Sequence, residues 1–119
     1  MAEHQLRLDK DTQNKLRWNG YVSGVSFKLY LPNHVVPEPT PKLIYVSMEH
    51  GPIVEQPTYE RRDENGLRAS AEFFEEHTET VRYRPVGESR NWIIGEPYIP
   101  KAALPDSWPV RLGIVVRWG

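Results

Sequence analysis

Cysteine is missing altogether from this 119-residue chain. Disulfides, thiolate metal ligands and thiol nucleophiles are therefore excluded together, a composition that suits the cytosol. No apolar run is long enough to cross a bilayer as a helix, and no N-terminal apolar stretch leads to a small-residue cleavage site. On these grounds the chain is expected to be soluble and cytoplasmic, with no membrane partner. Charge of one sign is lacking as well. Fifteen Lys and Arg against sixteen Asp and Glu leave a formal charge of −1, so attraction to nucleic acid needs a local patch. Serine-nucleophile motifs, phosphate-binding glycine loops and dinucleotide fingerprints are absent too. The sequence reads as that of a protein that is no enzyme and takes no cofactor.

What is present is the composition of one globular domain spanning residues 1–119, with 39% hydrophobic and 26% charged residues. Eleven prolines and eight glycines fall between short apolar or alternating runs, the punctuation of strands joined by shaped turns. His4 to Leu8 alternates polar and apolar, and so does Val25 to Leu31, with Val25, Phe27, Leu29 and Leu31 on one face. Asn19-Gly20 predicts a type I′ hairpin turn between Lys15–Trp18 and the Val25 strand. Further strands are expected at Lys42–Met48 and at Leu112–Trp118. The latter has apolar residues on both faces at Ile114, Val115 and Val116, as a central strand does. A charged hairpin is expected around Asp63-Glu64-Asn65-Gly66. For Arg68–His77, helix competes with strand, because Ala69, Ala71 and several Glu favour helix by propensity.

The chain also repeats a phrase. Tyr98-Ile99-Pro100 through Pro109 restates Tyr30-Leu31-Pro32 through Pro41, with tyrosine and three prolines in register at a separation of 68 residues (98 − 30). Thr80–Tyr83 similarly lies over Lys15–Trp18, and Phe74–Thr78 over Leu8–Thr12 after one residue of slippage. We therefore expect an all-β fold, a compact barrel or sandwich of about eight strands made of two halves related by a pseudo-twofold. The repeat units run approximately over 4–48 and 70–118, with 49–69 as a charged connector. The shared core is expected to hold Phe27, Leu29, Leu31, Val46, Val81, Ile99, Ile114 and Val116. Each Tyr-[Leu/Ile]-Pro corner stops a strand at the barrel edge, and the aliphatic residue after it plugs the end of the core.

Four histidines, His4, His34, His50 and His77, lack any metal-ligand spacing and read as solvated loop residues, so no metal site is expected. Glu75-Glu76-His77 beside Asp9 and Asp11 reads as surface carboxylates and not as an acid–base pair. Arg61-Arg62 with Arg68 forms a basic cluster that Glu60, Asp63 and Glu64 largely cancel. Arg17-Trp18 and Arg82-Tyr83 pair a guanidinium with an aromatic ring at equivalent places, and such pairs on a sheet face stack bases and meet phosphates. Neighbours on a strand point to opposite faces, however, so one of each pair faces inward. The phrase Tyr98-Ile99-Pro100-Lys101-x-x-Leu104 resembles the core signature of AbrB-type swapped-hairpin barrels, DNA-binding regulators and antitoxins. That resemblance implies a short helix after the phrase and a DNA-binding role. In this chain Pro105 and Pro109 stand where that helix runs.

The leading functional expectation is a non-enzymatic module that binds a protein partner or copies of itself through strand edges and aromatic loops, with Trp92, Trp108 and Trp118 as anchors. The alternatives are nucleic-acid binding through Arg17, Trp18, Arg82 and Tyr83, and small-ligand binding inside a barrel.

Overall fold

In the computed structural model, which describes residues 3–12, 14–50, 60–63, 65–85, 94–105 and 108–119, the alternating segments become nine strands. They are β1 (His4–Asp11), β2 (Lys15–Val22), β3 (Val25–Pro32), β4 (Leu43–His50), β5 (Glu60–Asp63), β6 (Gly66–Glu76), β7 (Thr80–Pro85), β8 (Tyr98–Pro100) and β9 (Arg111–Trp118). The described residues include no α-helix, only single 3-10 turns at Asn33–Val35 and Lys101–Ala103. No helix among them is long and apolar enough to cross a membrane.

Every ladder is antiparallel. Eight strands follow the order β3-β2-β1-β4-β9-β6-β7-β8, and β5 pairs with β6 off that path. The two ends of the path, β3 and β8, return to each other, and there Gly95 N–H donates to the Tyr30 carbonyl at 3.3 Å. The sheet is thus a nearly closed barrel, as full closure is the way an antiparallel sheet removes its edges.

The same pairings recur along the chain. β1 meets β4 from His4↔Val46 to Arg7↔Leu43, and β6 meets β9 over a longer ladder from Gly66↔Arg117 to Glu72↔Arg111, whose Ala69↔Ile114 to Glu72↔Arg111 part corresponds to it. β2 meets β3 through Leu16↔Leu31 and Arg17↔Tyr30, while β7 meets β8 through Val81↔Ile99 and Arg82↔Tyr98. One bulge interrupts β1–β2 between Leu8 and Lys10, and one interrupts β6–β7 between Phe73 and Glu75. In the β4–β9 ladder Ser47 faces Val115, flanked by Ile44↔Trp118 and His50↔Leu112. The loops repeat as well: Leu8 N–H bonds the Lys42 carbonyl and Phe73 N–H the Val110 carbonyl, both at 2.8 Å. Asn33 N–H bonds Asn14 and Lys101 N–H bonds Glu79, both at 3.1 Å. Leu8 faces Trp18 as Phe73 faces Tyr83, so Phe73, and not Phe74, is the counterpart of Leu8. Both ladders carry the bulge at the same place, so the separation is 65 residues throughout them (73 − 8 and 83 − 18) and no slippage is needed.

Period-two burial builds the interior. Phe27, Leu29 and Leu31 are buried on β3 while Ser26, Lys28 and Tyr30 are exposed. All eight expected core residues are buried, joined by Leu6, Leu16, Trp18, Ile44, Tyr83 and Ile94, among others. Pro32 and Pro100 end β3 and β8 as the Tyr-Pro corners require, and the 3-10 turns behind them bring Val35 and Val36 into the core and Leu104 against it.

One expectation about local structure is overturned, and one choice between alternatives is decided for strand. Asn19-Gly20 lies inside β2, paired with Lys28 and Phe27. The hairpin turns at Ser23-Gly24, which hold φ of 51° and 79°, the left-handed pair that a type I′ turn needs. Gly20 answers a different demand, since a Cβ there would stand 2.6 Å from the Gln5 carbonyl oxygen on β1. Residues 68–76 are strand, because β6 sits between β9 and β7 and puts Ala69 and Ala71 into the interior. Tertiary pairing overrides their helix propensity.

Candidate functional site

The barrel exterior carries two corresponding clusters, one on β1–β2–β3 and one on β6–β7–β8. On the first, Arg17 extends across Asp9 and donates to both carboxylate oxygens, at 2.8 and 3.1 Å. It also donates to the Tyr30 hydroxyl at 3.3 Å and lies 5.9 Å from that ring's centre. These contacts, Asp9 first, hold Arg17 protonated above its ordinary range. The same hydrogen bond, helped by the fields of Lys28 and Lys10, lowers the Tyr30 phenol.

On the second cluster, Arg82 donates to Glu96 at 2.5 Å and meets Glu75 at 3.5 Å. Its guanidinium lies between the Phe74 ring, 4.7 Å away, and the Tyr98 ring, 5.5 Å away. Glu96 is the main reason its pKa rises. Arg84 covers Phe74 too, at 4.8 Å.

The two clusters differ in sign around a common centre. Lys28 and Glu96 each stand two residues before the tyrosine that faces the arginine, and Lys10 faces Arg17 as Glu75 faces Arg82. Arg82 is therefore neutralised by two glutamates. Arg17 has only Asp9, and Lys10, Lys15 and Lys28 have no ion-pair partner among the described residues. Between the clusters, at the β3–β8 seam, a cleft of about 620 Å³ is lined by Lys15, Lys28, Tyr30, Glu96, Pro97 and Tyr98, with Ser26 and Gly95.

The residues singled out from sequence are distributed unevenly about this cleft. Trp18 and Tyr83 are fully buried, and their polar atoms bond the Pro41 and Pro109 carbonyls at 3.0 and 2.8 Å. Neither is available to stack on a base, so the nucleic-acid set loses both of its rings. Burial also pushes the Tyr83 phenol up to about 12. Arg17 and Arg82 are on the surface, already bound to carboxylates.

Trp108 is half-buried against the core, with the Lys101 ammonium 4.9 Å from its ring centre. Trp118, also half-buried, ends β9 opposite Ile44. Trp92 lies outside the described residues. The exposed aromatic rings of the seam are instead Tyr30 and Tyr98. Alternation along Val25–Leu31 places Tyr30 on the outer face, although nothing in that local pattern sets it beside Tyr98.

The histidines are separate from one another. His4 faces Val46 across β1–β4, and partial desolvation lowers its pKa. His77 lies 3.0 Å from Glu75 and stacks obliquely near Tyr98, its ring centre 5.2 Å away. Glu76 binds Lys101 at 2.7 Å. Among the described residues no three His, Asp or Glu side chains gather as a metal site.

Comparison of the chain with protein-family models, with curated proteins and with solved structures returned no match in any of the three.

Proposed function

We propose that this protein is a non-enzymatic interaction module, built from two copies of a four-strand unit, whose working surface is the β3–β8 seam. There it accepts an extended segment of a protein partner as an added strand. One observation carries the reading: among the described residues, the Gly95–Tyr30 hydrogen bond is the only backbone bond across the seam. In an antiparallel ladder each residue turns its N–H and C=O to the same side, and alternate residues share that side. Since the Tyr30 carbonyl points into the seam, the backbone groups of Lys28 and Ser26 do so too. An edge of that kind is what strand addition uses.

The recurrence of pairings and loop hydrogen bonds supports the two-copy origin. The nucleic-acid alternative is weakened by the burial of Trp18 and Tyr83 and by the carboxylates on Arg17 and Arg82. The cytoplasmic setting remains the expectation from composition.

Selection of peptides from a random display library against the immobilised protein tests the reading. Selected peptides should lose binding to Ser26→Pro, which removes an N–H aimed at the seam and no ladder bond, and keep it for Ser26→Ala. Peptides indifferent to Ser26→Pro would place the binding surface elsewhere and sink the proposal.

A further inference from the structure

Resting on the seam reading, we infer that the segment received along β3 is acidic, with carboxylates at alternate positions and apolar residues between them. The argument begins from the sign reversal between the two clusters. Where β6–β7–β8 has Glu75 and Glu96 bound to Arg82, β1–β2–β3 has Lys10 and Lys28 beside an arginine whose one carboxylate partner, Asp9, is already engaged through both oxygens. Lys15 adds a third ammonium at the cleft wall. A chain of net charge −1 thus holds a local cationic surface on three adjacent strands, whose lysines form no ion pair among the described residues, the Glu96 carboxylate of the same cleft being bound to Arg82. Cations gathered at one edge without partners raise the local concentration of an anionic ligand and fix its register.

The spacing specifies the ligand further. Ser26, Lys28 and Tyr30 face outward at every second residue, so a strand laid against β3 presents its own alternate side chains on the same face. Carboxylates at those positions meet Lys28 and its neighbours, and the intervening residues turn toward the apolar side of the sheet. A polypeptide also satisfies the backbone donors and acceptors that Ser26 and Lys28 aim into the seam. A phosphodiester backbone has acceptors only, so it leaves the Lys28 carbonyl unanswered. That difference favours an acidic polypeptide over single-stranded nucleic acid.

The test extends the display selection to Lys10→Glu/Lys28→Glu, which installs on the first cluster the residues of the second. Unfolding curves check that the variant folds, and Lys10→Gln/Lys28→Gln replaces it if it does not. Wild-type protein should enrich alternating Asp and Glu. The winning peptides, measured by fluorescence anisotropy, should bind the double variant at least ~10-fold more weakly and weaken as salt rises.

Winners without acidic bias that still fail on Ser26→Pro would overturn this inference and leave the seam reading standing. Acidic winners that bind the double variant unchanged would overturn it as well. So would displacement of an acidic winner by oligothymidylate of equal or higher affinity, which would transfer the surface to nucleic acid. Winners indifferent to Ser26→Pro, or no winners, would remove the seam reading itself.

Discussion

Trp18 and Tyr83 do the same structural work with different chemistry. Each is fully buried, and each ties its strand to the loop that leads into a central strand, the indole N–H donating to Pro41 and the phenol O–H to Pro109. Removing such a donor leaves a part-buried carbonyl without its partner, which costs free energy. Tyr83→Phe should therefore cost about 1–2 kcal/mol of unfolding free energy. Trp18→Phe should cost more, about 2–4 kcal/mol, because it also leaves a cavity. Urea unfolding at neutral pH reads both, and an unchanged Tyr83→Phe midpoint would contradict the role assigned to the hydroxyl.

Tyr83 also sets a boundary at high pH. Its phenol titrates at about 12 in the folded protein, against 10.0 ordinarily, because burial disfavours the phenolate. Between those values the unfolded chain has lost a proton that the folded chain keeps. The contribution is complete below pH 10 and is lost as pH rises toward 12, at up to about 1.4 kcal/mol per pH unit. Tyr83→Phe should flatten that part of the stability profile, measured by urea unfolding from pH 9 to 12.

His4 acts at the opposite end. Desolvation lowers its pKa below 6.5, so the unfolded chain takes up a proton before the folded one. Stability from this group is present above pH 6.5 and declines as the pH falls through the folded value. His4→Gln should reduce the loss of stability on mild acidification, read from thermal unfolding between pH 7 and 5.

Two glycines of one hairpin should respond differently to alanine. Gly20→Ala places a Cβ against the Gln5 carbonyl oxygen and, at 2.7 Å, Leu6 Cδ2, so β1 and β2 must separate and the loss should exceed ~2 kcal/mol. Gly24→Ala meets nothing within 4 Å but keeps φ of +79°, a strain of about 1 kcal/mol. Equal midpoints for the two variants in urea would refute this distinction.

An ion pair recurs with its signs exchanged. Arg117 on β9 binds Glu3 through two hydrogen bonds at 3.0 Å, while Glu49 on β4 binds Arg68 on β6. Arg117 keeps the Glu3 carboxyl below its usual range. Both pairs are partly solvated, so reversing one member should change stability only modestly. Arg117→Glu should lower the Tm at low salt, with recovery on adding Glu3→Arg and little difference at 1 M salt. A loss independent of salt would point to the Tyr45 ring, 4.4 Å from the Arg117 guanidinium.

Sequence by itself determined the strands and much of the core, because side-chain alternation and proline punctuation are local properties of the backbone. Phe27, Leu29 and Leu31 had to share a face, and Pro32 and Pro100 had to stop their strands. Local pattern did not decide which of Arg17 and Trp18, or of Arg82 and Tyr83, turns inward. Period two separates neighbours without saying which side is the interior. The hairpin position depended on β1 approaching Gly20, and the strand state of residues 68–76 on neighbours far along the chain. The β3–β8 seam and the gathering of Lys10, Lys15 and Lys28 belong wholly to the tertiary structure, since strand register alone brings together charges spaced along three strands.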